Sequence, residues 1–182
     1  MITNIDHVIL LWIQNVLRFD WATPFWKAIT LLGEGGYFWI AWCVLFLCMK
    51  KTRKIGATMT LALIINVILV NLCIKNVVCR VRPYDQFPDL IRLIEAQKDW
   101  SFPSGHTSAS FACSVGMFLA LPKAYKKYSI PFIVIACLVG FSRLYLCVHF
   151  PSDVLCGAFI GIFSAWIAVN SIEKIIHKKK TV

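Results

Sequence analysis

"GATMTLALIINVILVNLCIKNVVC", Gly56 to Cys79, holds 24 residues and a single charge, Lys75. A helix rises about 1.5 Å per residue, so about 20 mostly apolar residues cross the hydrocarbon core of a bilayer. The stretch therefore predicts a membrane-spanning helix, and that reading decides the fold. Three further apolar runs are comparable, at 104–121, 129–148 and 153–172. A fifth, 35–49, is short and reaches span length if it begins nearer Leu31. Residues 5–32 read as a weaker pair of short helices, broken around Asp20 to Pro24 and amphipathic enough to lie at the interface or insert in part. The expected fold class is all-α. It is an integral membrane helical bundle of five to six transmembrane helices with an interfacial N-terminal segment. Its expected units are that segment (1–34), a membrane-embedded domain (35–175) and a basic cytoplasmic tail (176–182).

Composition agrees with this class. Of 182 residues, 59% are hydrophobic and only 15% charged, and the mean hydropathy of +0.71 is far above that of a soluble domain. The net charge of +10 does not indicate a nucleic-acid partner, because the lysines sit in short clusters between apolar runs. The eight cysteines lie mostly inside those runs, form no CxxC pair, and read as small apolar side chains. The N-terminus lacks the basic start of a signal peptide, and Asp6, His7, Gln14, Arg18 and Asp20 interrupt its apolar residues.

Positive charge orients the spans. "KKTRK" (Lys50 to Lys54), "PKAYKK" (Pro122 to Lys127) and "HKKK" (His177 to Lys180) fall on one face of a five-span protein. That face is expected to be cytoplasmic, with the C-terminus. The opposite face carries the loop 80–103 and the turn 149–152, yet it keeps Lys75, Arg80, Arg82 and Arg143. Cations placed against the topology bias call for an anionic partner. In the loop 84–102, Phe87, Leu90, Ile91, Leu93, Ile94 and Trp100 stand among charges. This reads as an interfacial helix, with a substrate entrance or lid as the alternative.

Three polar blocks share that face. In "KNVVCRVRP", Lys75 and Arg82 are two helical turns apart and so point the same way, and Pro83 marks the helix end. Alone, the pair also suits cations snorkelling to an interface. "PSGH", Pro103 to His106, suits a helix N-terminus, where free amides and the positive helix end favour an anion; a plain cap with an incidental histidine is the alternative. In "SRLYLCVHFPSD", Ser142 to Asp153, the carboxylate of Asp153 lies four residues after His149, within reach of its imidazole if a helix begins there. Topology set by unrelated lysines brings all three blocks together. The set contains no cluster with metal-ligand spacing and suits a multiply charged oxyanion, phosphate best of all.

The pattern Lys75-x6-Arg82-Pro83, Pro103-Ser104-Gly105-His106 and Ser142-Arg143-x5-His149-x3-Asp153 resembles the three-part signature of the type 2 phosphatidic acid phosphatase family. That family shares its pocket with vanadium haloperoxidases and bacterial acid phosphatases. The resemblance covers roughly residues 35–172, with the N-terminal segment similar to a shortened first helix. It implies hydrolysis of a lipid phosphate monoester or diphosphate without metal or other cofactor. His149 would be the nucleophile, Asp153 its orienting carboxylate and His106 the acid and base. Lys75, Arg82, Arg143, Ser104 and the Gly105 amide would bind the phosphoryl oxygens.

Undecaprenyl diphosphate, phosphatidylglycerophosphate and phosphatidic acid all fit, because no residue visibly reads the tail. The implied setting is a bacterial plasma membrane with the site on the extracytoplasmic face. Expected partners are the lipid substrate and membrane lipids. Two rivals make different demands. A transporter would spread polar residues along a path, of which only Asn66 and Asn71 lie deeper. A non-catalytic lipid-phosphate-binding relative would lack one of the histidines or the aspartate.

Overall fold

The computed structural model describes residues 2–180, and among them every regular element is helical. The main helices are α1 (Ile2–Trp12), α2 (Thr23–Leu31), α3 (Tyr37–Cys48), α4 (Arg53–Val67), α7 (Gly105–Ala120), α8 (Ile130–Tyr145) and α9 (Pro151–Lys180). Two short ones, α5 (Lys75–Val78) and α6 (Pro83–Gln86), lie between α4 and α7. Among the described residues, three helical stretches are long and apolar enough to cross a membrane: Arg53–Gln86, Lys123–Tyr145 and Pro151–Lys178. A fourth is reached if α2 and α3, bent by 42° across the glycine turn between them, count as one. At 16 residues α7 is shorter, about 24 Å at the rise of an α-helix. The tail expected over 176–182 continues α9 as far as Lys180, and residues 181–182 lie outside the described residues.

The centre of the bundle is α4, α7 and α9. Lipid tails are as apolar as leucine, so helices in a membrane gain by close backbone approach rather than by burying large side chains. Ala62, Ala112, Ala165 and Ala168 are fully buried in one cluster. On α9 the approach is closer still. A Cβ on Gly161 would stand 2.3 Å from the Ser108 carbonyl oxygen, and one on Gly157 would stand 2.8 Å from that of Ser104. These two glycines therefore set the distance between α9 and the helix that begins at "PSGH". On the other side of α7, Trp39, Cys43, Ile55, Met59, Cys113 and Met117 form the largest apolar cluster, and the Trp39 indole donates to Ser110 Oγ at 3.0 Å.

The ends of the bundle differ. Lys54 at the start of α4 pairs with Glu173 near the end of α9, 3.0 Å apart. The "KKTRK" turn therefore lies at the same end as the basic C-terminal segment. Lys75, Gly105, Arg143 and Pro151 lie at the other end.

One feature departs from the sequence reading. The segment after α6 is not an interfacial helix; from Phe87 to Ser104 the chain is irregular. Its apolar side chains do not form one stripe but dock separately. Leu90 enters a cluster with Leu10, Cys147 and Phe150, while Leu93 and Ile94 pack on Ala22, Leu146 and Val148. The N-terminal segment straps this loop down. Arg18 donates to the Ile91 and Tyr145 carbonyls at 2.6 and 2.9 Å, and His7 contacts Asp89 at 3.0 Å. Asp6 on α1 is buried, with 3% of its surface exposed.

Candidate active site

Lys75 reaches the site because α4 changes pitch. Residues Ile68–Ile74 form a π-helical stretch between α4 and α5. Such widened turns re-aim the side chains that follow and recur at functional sites. Here Asn66, Asn71 and Lys75 all line one cavity. The chain then leaves the helix at Cys79, in the left-handed region at φ 48°, and Arg82 follows in extended conformation ahead of Pro83. On the opposite wall α7 begins at Gly105, so His106 sits in its first turn. Gly33 makes room for that ring, since a Cβ there would lie 2.6 Å from His106 Cδ2. Arg143 comes from the last turn of α8, and His149 from the turn joining α8 to α9.

The cavity holds about 270 Å³. Of the eight residues proposed from sequence, six line it: Lys75, Arg82, Gly105, His106, Arg143 and His149. Two lie behind it. Ser104 is fully buried and its hydroxyl caps α7, accepting from the Thr107 amide at 3.5 Å and sharing a 2.9 Å hydrogen bond with Thr107 Oγ1. Asp153 is also fully buried, and its Oδ2 lies 3.6 Å from His149 Nδ1.

His149 is held in a definite orientation. Its Nδ1 faces Asp153, and its Nε2 accepts from Arg82 Nη1 at 3.3 Å. That arrangement places the proton on Nδ1 and leaves the Nε2 lone pair on the cavity side. Burial, reinforced by the charges of Arg82, Arg143 and Lys75, pushes the His149 imidazole well below its usual range and keeps it neutral.

The cations are poised but not all neutralised. Arg82 donates Nη1 to the Val148 carbonyl at 2.6 Å and Nε to the Asp99 carbonyl at 3.0 Å. Among the described residues, Arg143 is 1% exposed and bonds only neutral groups, Thr30 Oγ1 at 2.6 Å and Gln97 Oε1 at 3.3 Å, and its buried Nε has no partner there. A buried guanidinium without a counter-anion is costly, and an anion in the cavity would relieve that cost.

Sequence reasoning missed two acids here. Asp99, in the irregular loop, pairs with Lys75 and puts its Oδ1 2.6 Å from Arg82 Nη2. Burial raises its carboxyl, but the hydrogen bond and charge of Lys75 and the charge of Arg82 outweigh that and hold it at about 2. Glu34, flanked by glycines, places Oε2 3.3 Å from His106 Nε2. A lone acid between glycines beside an apolar run was the available signal for Glu34; nothing local marked Asp99.

The two oxygens of Asp99 pair with Lys75 and Arg82, and at ordinary pH that carboxylate is charged. An anion binding to these two cations would have to displace it. Asp99→Asn is therefore expected to strengthen inhibition by vanadate several-fold, since an amide binds two cations far more weakly than a carboxylate does. Titration of both proteins with vanadate checks this, and weaker inhibition of the variant would contradict it.

A cavity in a membrane bundle that sets concentrated positive charge beside a neutral, oriented imidazole suits transfer of a phosphoryl group. Residues 51–176 match the PAP2 superfamily, and the chain belongs to that superfamily. It is 34% identical to an undecaprenyl-diphosphatase of Sulfolobus acidocaldarius over 137 residues, covering 75% of this chain and 63% of that protein. It is 32% identical to phosphatidylglycerophosphatase B of Bacillus subtilis over 169 residues, 88% of this chain and 80% of that one. The crystal structure of a transmembrane PAP2-type phosphatidylglycerolphosphate phosphatase from Bacillus subtilis superposes with a TM-score of 0.79 at 29% identity, covering 95% of this chain and 87% of that one.

Proposed function

We propose that this chain hydrolyses a phosphate monoester or diphosphate on a membrane lipid through a phosphohistidine on His149. It is a phosphatase of the PAP2 superfamily, whose named relatives act on undecaprenyl diphosphate and phosphatidylglycerophosphate. The observation that carries the mechanism is the orientation of His149, with Nδ1 toward Asp153 and Nε2 in the cationic cavity.

In the first step His149 Nε2 attacks phosphorus. The bond from phosphorus to the lipid oxygen breaks, and that oxygen leaves with the electron pair and takes a proton from His106, which enters the step as imidazolium once the anionic substrate offsets the surrounding cations. In the second step water attacks the phosphohistidine. His106 takes the water proton, the phosphorus–nitrogen bond breaks and phosphate leaves. Lys75, Arg82 and Arg143 hold the three non-bridging oxygens, and the start of α7 at Gly105 adds a helix N-terminus. Ser104 acts by fixing that terminus. Asp153 stabilises the charge that grows on His149.

The reading is tested with purified protein and three lipids: undecaprenyl diphosphate, phosphatidylglycerophosphate and phosphatidic acid. Phosphate release from at least one, undiminished by EDTA, is expected. Loss of turnover in EDTA with recovery in Mg²⁺ would contradict cation-only stabilisation by the side chains.

The same reading extends to the arrangement in the membrane. The bundle uses five spans, or six if the N-terminal helices insert. α7 counts as one of them despite its length, because it runs between the site end and the basic turn that follows it. The basic end faces the cytoplasm of the plasma membrane, and the site opens on the extracytoplasmic face, where a lipid head group reaches the cavity with its tail still in the bilayer. A reporter active only in the cytoplasm, fused after Val182, is expected to be active. Activity of an export-dependent reporter at the same position would reverse the orientation.

A further inference from the structure

Arg80 stands two residues before Arg82 but serves another part of the molecule. Its Nη1 donates to Asp153 Oδ1 at 2.6 Å and to Ser152 Oγ at 2.7 Å, and its Nη2 donates to Asp6 Oδ2 at 2.7 Å. Asp6 in turn accepts from the Ser152 amide at 3.0 Å and the Ser152 hydroxyl at 2.5 Å. The guanidinium lies over the Phe150 ring, 4.0 Å from its centroid. Even the Arg80 backbone takes part, because its carbonyl holds the Ser101 amide at 2.9 Å and the Ser101 hydroxyl donates to Asp153 Oδ2 at 2.5 Å.

Asp153 is thus fixed by groups other than the histidine it faces. Arg80 holds Oδ1, while Ser101 and the Phe150 amide, at 2.9 Å, hold Oδ2. Two buried carboxylates this near one another would repel, and Arg80 is the cation that pairs with both. The cations of the cavity do not do this work.

We propose that Arg80 and Asp6 are positioning residues for the hydrolysis. Together they hold the Asp153 carboxylate in the place from which it orients His149, and they make helix α1 part of the catalytic support. This rests on the phosphohistidine reading above. Neither residue touches the phosphate.

The test compares wild type, Arg80→Lys and the double variant Arg80→Gln/Asp6→Asn. An ammonium keeps the charge but not the planar fork that reaches both carboxylates and Ser152. The double variant removes one cation and one anion together, which avoids a stranded carboxylate pair if the single change unfolds the protein. Both variants are expected to lose about ten- to a hundredfold in kcat, by analogy with the loss seen when a hydrogen-bond partner that orients a metal-ligating histidine or carboxylate is removed. Inorganic phosphate, a tetrahedral anion held by the cations and not by a bond to His149, should inhibit them within about twofold of wild type, because Lys75, Arg82 and Arg143 are untouched.

Wild-type kcat in both variants would overturn the inference alone. A phosphate affinity that falls in step with kcat would also overturn it, since that is the mark of a general structural role. A wild-type protein inert on every lipid phosphate would overturn the proposed function and this inference with it.

Discussion

His149→Ala is expected to form no phosphoenzyme and to lose on the order of a millionfold in turnover, as when a covalent nucleophile is removed from a group that acts as a unit. His106→Ala is expected to behave differently. Its loss should be about a hundred- to ten-thousandfold with a lipid substrate, the usual worth of one general acid–base residue. With p-nitrophenyl phosphate the first step should largely survive, because p-nitrophenolate needs little protonation. Hydrolysis of the intermediate should then be slow, and labelled phosphate should accumulate on His149. Acid quenching after a pulse of labelled substrate checks this. Acid-labile label trapped in the His106→Ala protein and absent from the His149→Ala protein is the expected pattern. The reverse pattern would exchange the two roles. The geometry behind the expectation is unequal. His149 presents Nε2 to the cavity with Asp153 behind it, while His106 Nε2 lies near Glu34, whose side chain is 58% exposed and offers a route for protons.

Asp153→Asn should be the second most damaging change, with a loss in kcat of about ten-thousandfold, the size found when an orienting carboxylate becomes an amide. Volume is nearly conserved, so the helix start at Pro151 should be kept. The damage is chemical. The asparagine amide nitrogen would have to face either Arg80 or the Phe150 amide and Ser101, which donate to the carboxylate in the present arrangement. Whichever way the amide turns, a donor loses its acceptor, and the carboxylate charge facing His149 Nδ1 at 3.6 Å, which favours the tautomer with Nε2 unprotonated, is gone. The affinity of the Asp153→Asn protein for inorganic phosphate separates this from collapse of the pocket. Retained phosphate binding with lost turnover is expected, and loss of both would mean that the carboxylate chiefly maintains the fold. Combined with Arg80→Lys, the losses should be far from additive, because both changes act on one carboxylate.

The sequence by itself determined the class and the meeting of the motifs. A run such as Gly56 to Cys79 has no stable option outside a bilayer but a buried helix, and basic turns at one end place the ends bearing Lys75, Gly105, Arg143 and His149 together. Helix length and charge placement are local properties, so they can be read along the chain. Only the tertiary structure decided what stands behind and across the cavity. The contact of Asp6 with Ser152 joins residues 146 apart, that of Arg80 with Asp153 spans 73, and Glu34 meets His106 across 72. No periodicity encodes such pairs, because each depends on how the N-terminal helices and the irregular loop dock onto the finished bundle. The same holds for the widened turn at Ile68–Ile74 and for the Ser104 hydroxyl, which caps α7 instead of lining the cavity. A motif names a residue type at a position. Whether its side chain faces a ligand, a partner or its own helix is settled by the packing around it.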